Sequence, residues 1–298
     1  MRKKLAIVML IVFAAAALSG CSLLGGKGDR VVIGGKNFAE QDILVYLMKY
    51  TIEDKTKVKV DTKPFLGGTS IVAQALDRGD IDIYAEYTGT ALINLLREPL
   101  INDPQAVYDK VKKIYAEKKG LVWLKPFGFN NTYTLTMRAD HAKSLGIETI
   151  SDLAAKASTL MLGCTQEFLE RPDGLKGLEK AYGFQFKATS GMDPGLTYAA
   201  ARDKKVDVID GFATDGRIPA FNLKVLKDDK HYFPPYYAAP VVRADVLKKH
   251  PEIEQALNLL AGKLDDKEMA ALNAQVDLDK KDPKDVARAW LKAQGIIK

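Results

Sequence analysis

Ala75-Leu-Asp-Arg-Gly-Asp-Ile-Asp-Ile-Tyr-Ala-Glu-Tyr87 can be laid without a gap over Ala200-Ala-Arg-Asp-Lys-Lys-Val-Asp-Val-Ile-Asp-Gly-Phe212. Each copy reads as a helix end, a charged turn, a β-branched strand and a closing aromatic, and in both the aromatic follows the strand aspartate (Asp82, Asp207) by five residues. If each copy forms the same edge of its own lobe, Tyr87 and Phe212 lie just past strand carboxyl ends. Open α/β sheets place ligands there, and the two aromatics would face a shared cleft. The alternative is a chance likeness between two helix-turn-strand units.

Outward from this pair, short apolar runs alternate with longer helical patterns, which is the signature of α/β architecture. The patterning predicts strands over 31–33, 58–62, 81–84, 134–137, 159–162, 206–209 and 238–242, with helices over 104–118, 151–157 behind a serine cap, and 194–204. Beyond Ala244 the chain is almost wholly helical in pattern, over 251–263, 266–275 and 283–294, a block expected to pack back on an earlier lobe.

The first twenty residues read as an export signal: basic Arg2, Lys3 and Lys4, an apolar run over 5–18, then Leu18-Ser19-Gly20-Cys21. The run is short for a membrane span of roughly 20 residues. Small residues before a cysteine look like a bacterial lipobox, which makes Cys21 the expected lipidation site and 22–29 a glycine-rich tether. Cleavage removes three basic residues and takes the formal net charge from +6 to +3, so the surface gives no argument for nucleic acid. Only Cys164 then remains unmodified. A chain of this length without an intramolecular disulfide must be held by its core, and two lobes are expected.

The spacings of common catalytic sites are absent: no G-x-S-x-G, no H-E-x-x-H, no C-x-x-C and no phosphate-binding loop. His141, His231 and His250 stand in polar stretches and read as surface residues, so neither a metal site nor a Ser-His-Asp triad is expected. What does stand out is a set of aromatics in turn-like contexts: Tyr87, Tyr133, Phe212, Tyr236 and Tyr237. Converging aromatic faces attract a methylated cation at roughly 0.5 to 2 kcal/mol per face, and each ring taken singly also suits ordinary core packing. A zwitterion needs an anchor for its other end. Arg171, before Pro172 as a plausible first helical residue, could hold a carboxylate in bidentate fashion, with Lys36 and Thr90 as further donors in glycine-containing loops. Arg171 could equally pair with Asp173 or Glu170 on the surface.

Three stretches, Gly35-Lys-Asn-Phe-Ala-Glu-Gln41, Ile83-Tyr-Ala-Glu-Tyr-Thr-Gly-Thr90 and Thr214-Asp-Gly-Arg-Ile218, resemble the glycine betaine, carnitine and choline binding proteins of osmoprotectant ABC importers. The resemblance covers nearly all of the chain after Cys21. It implies an α/β, two-lobed periplasmic-binding-protein fold of type II. One lobe would comprise 31–131 and 237–298, the other 132–236, joined by two crossovers and closing on ligand by hinge motion. It places an aromatic cage on Tyr87, Tyr133, Phe212 and Tyr236, and a carboxylate clamp on Lys36, Thr90 and Arg171, with Asn131 beside the cage. Phe212 departs from the family's tyrosine, keeping the π face and losing the hydroxyl. The resemblance further implies binding without turnover, no cofactor, a monomer lipid-anchored on the outer face of the membrane, and delivery to a separate permease and ATPase. Arg171 favours carboxylated ligands over choline, which would leave the guanidinium without an anionic partner. Two competing readings are the same fold binding an amino acid or another small zwitterion, and a lipid-anchored hydrolase with Asp215 or Glu86 as general base.

Overall fold

The computed structural model describes residues 30–298; the expected leader, the expected lipidation site Cys21 and the tether lie outside the described residues. Ten strands among those residues run, in chain order, β1 (Arg30–Lys36), β2 (Lys59–Gly67), β3 (Ile83–Tyr87), β4 (Leu121–Trp123), β5 (Tyr133–Arg138), β6 (Met161–Thr165), β7 (Ala188–Met192), β8 (Val208–Phe212), β9 (Leu223–Val225) and β10 (Ala238–Arg243). They form two five-stranded sheets ordered β2-β1-β3-β10-β4 and β7-β6-β8-β5-β9. The orders are the same arrangement twice. β3 pairs parallel with β1 and antiparallel with β10, while β8 pairs parallel with β6 and antiparallel with β5.

The repeat read from the sequence is therefore structural, and its residues do equivalent work. Asp82 donates its N–H to Val32 O (2.7 Å) and accepts from Val32 N (2.8 Å). Asp207 does the same with Met161, at 3.0 and 2.9 Å. Upstream, Gly79 (φ 76°) and Lys204 (φ 59°) occupy matching positions in the left-handed region, where each stops its helix. The N–H groups of Ile81 and Val206 then close back onto Ala75 O and Ala200 O. Those residues finish the helix, which is why both strands begin two residues later than the apolar pattern predicts and run through to Tyr87 and Phe212.

Between the strands, the helix Ala39–Lys55 buries Ile43, Leu44, Leu47, Met48 and Ile52. The C-terminal helices Glu252–Leu257, Asp266–Asp277 and Pro283–Ala293 pack back onto it, as the helical pattern beyond Ala244 led one to expect. The helix expected behind Ser151 is Ile150–Ala154, capped by Thr149 in a reciprocal box with Asp152; Ser151 instead donates its hydroxyl to Asp229. β4 and β9, three residues each, and the polar β7 had no alternation to reveal them. His250, expected at the surface, is buried.

The chain passes between the sheets twice, over 124–132 and 226–237. The two passages lie side by side: Asn130 bridges Tyr237, Asn131 N donates to Tyr236 O (3.1 Å), and Tyr236 N donates to Asn130 Oδ1 (2.7 Å). No helix among the described residues is long and apolar enough to cross a membrane.

Candidate ligand-binding site

Each sheet delivers an aromatic at the end of its central strand. Tyr87 closes β3 and Phe212 closes β8, and register places Tyr133, the first residue of β5, directly opposite Phe212. Tyr236 and Asn131 come from the two passages, Lys36 ends β1, Thr90 opens a π-helical turn (Thr90–Leu95), and Arg171 follows the helix Gln166–Glu170. These eight side chains line one cavity of about 490 Å³, counting the solvent at its mouth. Tyr237 lies apart and lines a different cavity.

Ring geometry gives the cavity its walls. Tyr133 and Phe212 have centroids 5.2 Å apart at 49°, and Tyr133 meets Tyr236 edge-on at 5.7 Å. Sequence reasoning missed Phe38, which stacks on Phe212 at 5.6 Å and 12° and lies 6.3 Å from Tyr87. The available signal was an aromatic two residues after β1, within the same motif that holds Lys36. The phenols face outward: Tyr87 donates to Glu40 Oε1 (2.7 Å) and Tyr236 to Asp173 Oδ2 (2.6 Å), so the ring faces are left for the cavity. Phe212 has no such anchor; Phe38 and Tyr133 hold it by packing.

The polar end differs from the sequence expectation in two respects. Pro172 does not open a helix. The next helix starts at Leu175, and Arg171 lies in the turn between. Arg171 is buried, and its bidentate face is taken by Asp173, with Nε to Oδ1 at 2.8 Å and Nη2 to Oδ2 at 2.6 Å. Nη1 donates to Glu167 Oε1 (3.0 Å) and Nη2 also to Thr90 Oγ1 (3.3 Å). A guanidinium has five N–H groups, so one remains for a ligand unless a partner yields. Lys36 is likewise engaged, at 2.6 Å from Glu86 Oε1 and 3.0 Å from Thr69 Oγ1. Both cations also lie over cage rings, Lys36 5.1 Å from the Tyr87 centroid and Arg171 5.1 Å from that of Tyr133.

Comparison with known proteins fits this geometry. The family described as the substrate binding domain of ABC-type glycine betaine transport systems matches residues 29–293. The chain belongs to this substrate-binding family. A carnitine transport binding protein of Listeria monocytogenes is 40% identical over 288 residues, covering 95% of this chain and 94% of that one. A glycine-betaine-binding protein of Pseudomonas aeruginosa is 39% identical over 304 residues, covering 98% and 96%. A crystal structure of a glycine betaine/carnitine/choline ABC transporter protein aligns with TM-score 0.75 at 36% identity, over 90% of this chain and 100% of that one. The two-lobed α/β architecture is that of the substrate-binding family, and the substrate-binding role in ABC transport comes with it.

Electrostatics in this member of the family are set by burial. Burial pushes the phenols of Tyr87, Tyr133 and Tyr236 well above their usual range, so the hydroxyls remain protonated and those of Tyr87 and Tyr236 remain donors. Burial also raises Glu40. Glu167 goes the other way: burial opposes its charge, but Arg171, Lys36 and the hydrogen bond from Thr69 outweigh that and hold it below the usual carboxylate range. Cys164 is buried and its thiol is pushed up to about 12, which leaves it unreactive. No cluster of metal-ligating side chains occurs among the described residues.

Proposed function

We propose that the cavity captures a quaternary ammonium osmolyte, glycine betaine or a relative, and presents it to a separate permease and ATPase without turning it over. The observation that carries this reading is the convergence of Tyr87, Tyr133, Phe212 and Tyr236, from both sheets and one passage, on a single cavity. A trimethylammonium group donates no hydrogen bond, and aromatic faces are what can hold it. Phe38 is a fifth wall of the cage. Lys36, Thr90 and Arg171 form the polar end, with Asn131 beside the rings. Arg171 offers a carboxylate its one spare N–H, or more if Glu167 swings out; Glu167 is the partner with solvent access, its side chain 31% exposed against 4% for Asp173.

The division into lobes follows the two passages: 31–131 with 237–298, and 132–236, with the paired segments around Asn130 and Tyr237 as hinge. The chain acts as a monomer, anchored outside the membrane by lipid on Cys21 after cleavage of 1–20. Isothermal titration of the domain beginning after Cys21 against glycine betaine, carnitine and choline tests the reading. Saturable one-site binding of at least one is expected. Binding of none would reject the quaternary ammonium ligand, and release of a product detected by mass spectrometry would reject a pure binding role.

A further inference from the structure

Glu40 lies one shell behind the cage and is 2% exposed. Its two carboxylate oxygens receive four hydrogen bonds from four separate parts of the chain. Oε1 accepts from the Tyr87 hydroxyl (2.7 Å) and Asn131 Nδ2 (2.9 Å); Oε2 accepts from Thr214 Oγ1 (2.5 Å) and Asn273 Nδ2 (2.9 Å). Two donors per oxygen is the full complement of an ionised carboxylate. Both amide nitrogens can only donate, so a protonated acid would have to turn one of the two hydroxyls from donor to acceptor. Yet none of these partners carries positive charge. Buried carboxylates are ordinarily matched by a cation, as Glu86 is by Lys36 and Asp173 by Arg171 beside the cavity; Asp210, behind it, is held by Thr165 instead. The two ion pairs cancel; Glu167 is a second carboxylate on Arg171, so the surroundings of the cavity carry more negative than positive charge and Glu40 has no cation of its own.

The residue between Glu40 and the cavity is Tyr87, with its hydroxyl on the carboxylate and its ring in the wall. We propose that Glu40 is a positioning residue of the ligand site, fixing Tyr87 and Asn131 and supplying the negative charge for which the ligand's quaternary ammonium group is the missing cation. The proposal rests on the cavity being a cation cage. Two effects act together. The charge attracts a cation across the ring at short range in a water-poor surround, and a phenol that donates to an anion has a more negative ring face. The loop that follows Phe212 is tied to the same carboxylate through Thr214, so the ring on the opposite wall is placed by it as well.

The test separates charge from scaffolding by comparing choline with its neutral carbon isostere, 3,3-dimethylbutan-1-ol, which has the same shape without the positive nitrogen. Glu40→Gln is expected to weaken choline, and glycine betaine with it, by about five-fold or more while changing the isostere by less than about two-fold. In the double variant Glu40→Gln, Asn273→Asp the amide of the new glutamine can donate to the new carboxylate, which keeps one negative charge in the cluster but moves it one residue away from Tyr87, at the cost of the donor that Asn273 gives the Thr214 carbonyl. Its choline-to-isostere preference is expected to fall below wild type by about two- to three-fold, a reading that stands even if the single variant does not fold. Equal weakening of choline and isostere in the single variant, or wild-type preference in the double variant, would overturn the role of Glu40 and leave the cage intact. Absence of any quaternary ammonium binding by the wild-type chain would instead overturn the cage and the proposal together.

Discussion

Tyr236 serves both ends of the cavity: its ring meets Tyr133 edge-on, and its hydroxyl completes the shell of Asp173, which in turn holds Arg171. The two contributions can be separated. Tyr236→Phe keeps the face and removes one donor from a carboxylate that still has Arg171, so glycine betaine affinity should change by less than about three-fold. Tyr236→Ala removes the face as well and should cost roughly 0.5 to 2 kcal/mol of binding. Titration calorimetry on both variants reads the difference; wild-type affinity in a Tyr87→Ala, Tyr236→Ala double variant would show that the rings do not hold the ligand. At this scale the sequence was informative because several aromatics and an arginine gather beside turns and predicted strand ends, although each ring singly suits core packing as well. Phe38 escaped notice because one ring beside a strand looks like core, and only its 12° stacking on Phe212 shows otherwise.

The paired helix-turn-strand units behave as two versions of one element, and their differences have measurable consequences. Gly79 and Lys204 perform the same left-handed stop, but lysine carries a Cβ that this conformation disfavours. Lys204→Gly should raise stability by about 0.5 to 1 kcal/mol and Gly79→Ala should lower it by a similar amount. The Cβ added at Gly79 would meet Arg243 Nη1 at 2.8 Å, the far end of a flexible side chain that can move, so backbone conformation dominates. The capping box at Thr149 gives a second check: Thr149→Ala should cost roughly 0.5 to 2 kcal/mol. Urea denaturation monitored by circular dichroism measures all three. The patterning placed the helix Pro104–Lys119, the C-terminal helices and the central strands, but not the 17-residue helix Ala39–Lys55. It passed over β4, β7 and β9 because edge strands of three residues, or of small polar ones, bury too little to leave a period.

Across the whole molecule, stability depends on carboxylates buried without a cation. Asp210, on β8 behind the cavity, accepts hydrogen bonds from Thr165 N (2.9 Å) and Oγ1 (2.7 Å), and burial pushes it up to about 7 from an ordinary 3.8. Between those values the folded chain binds a proton that the unfolded chain releases. The contribution of this group to stability therefore falls as pH rises through that window and is fully lost above about 7. Asp210→Asn should remove this slope, making the variant more stable than wild type by up to a few kcal/mol near pH 8 and closest to it near pH 4. Thermal unfolding across that range decides the matter, and parallel slopes in the two proteins would show that Asp210 is not the group responsible.

The sequence by itself determined the repeat, the α/β alternation and the helical C-terminal block, because these rest on periodicity and turn chemistry that neighbouring residues enforce locally. It also supplied the eight cavity residues, through aromatics grouped beside turns and strand ends and a resemblance spanning the chain. Only the tertiary structure decided how the charges are shared. Arg171 and Asp173 are two residues apart, but whether the pair lies in water or is buried facing Thr90 depends on strands more than eighty residues away. Glu40 gathers donors from Tyr87, Asn131, Thr214 and Asn273, and no local pattern could bring those four to one carboxylate, since burial and the partners that answer it are properties of the packed chain.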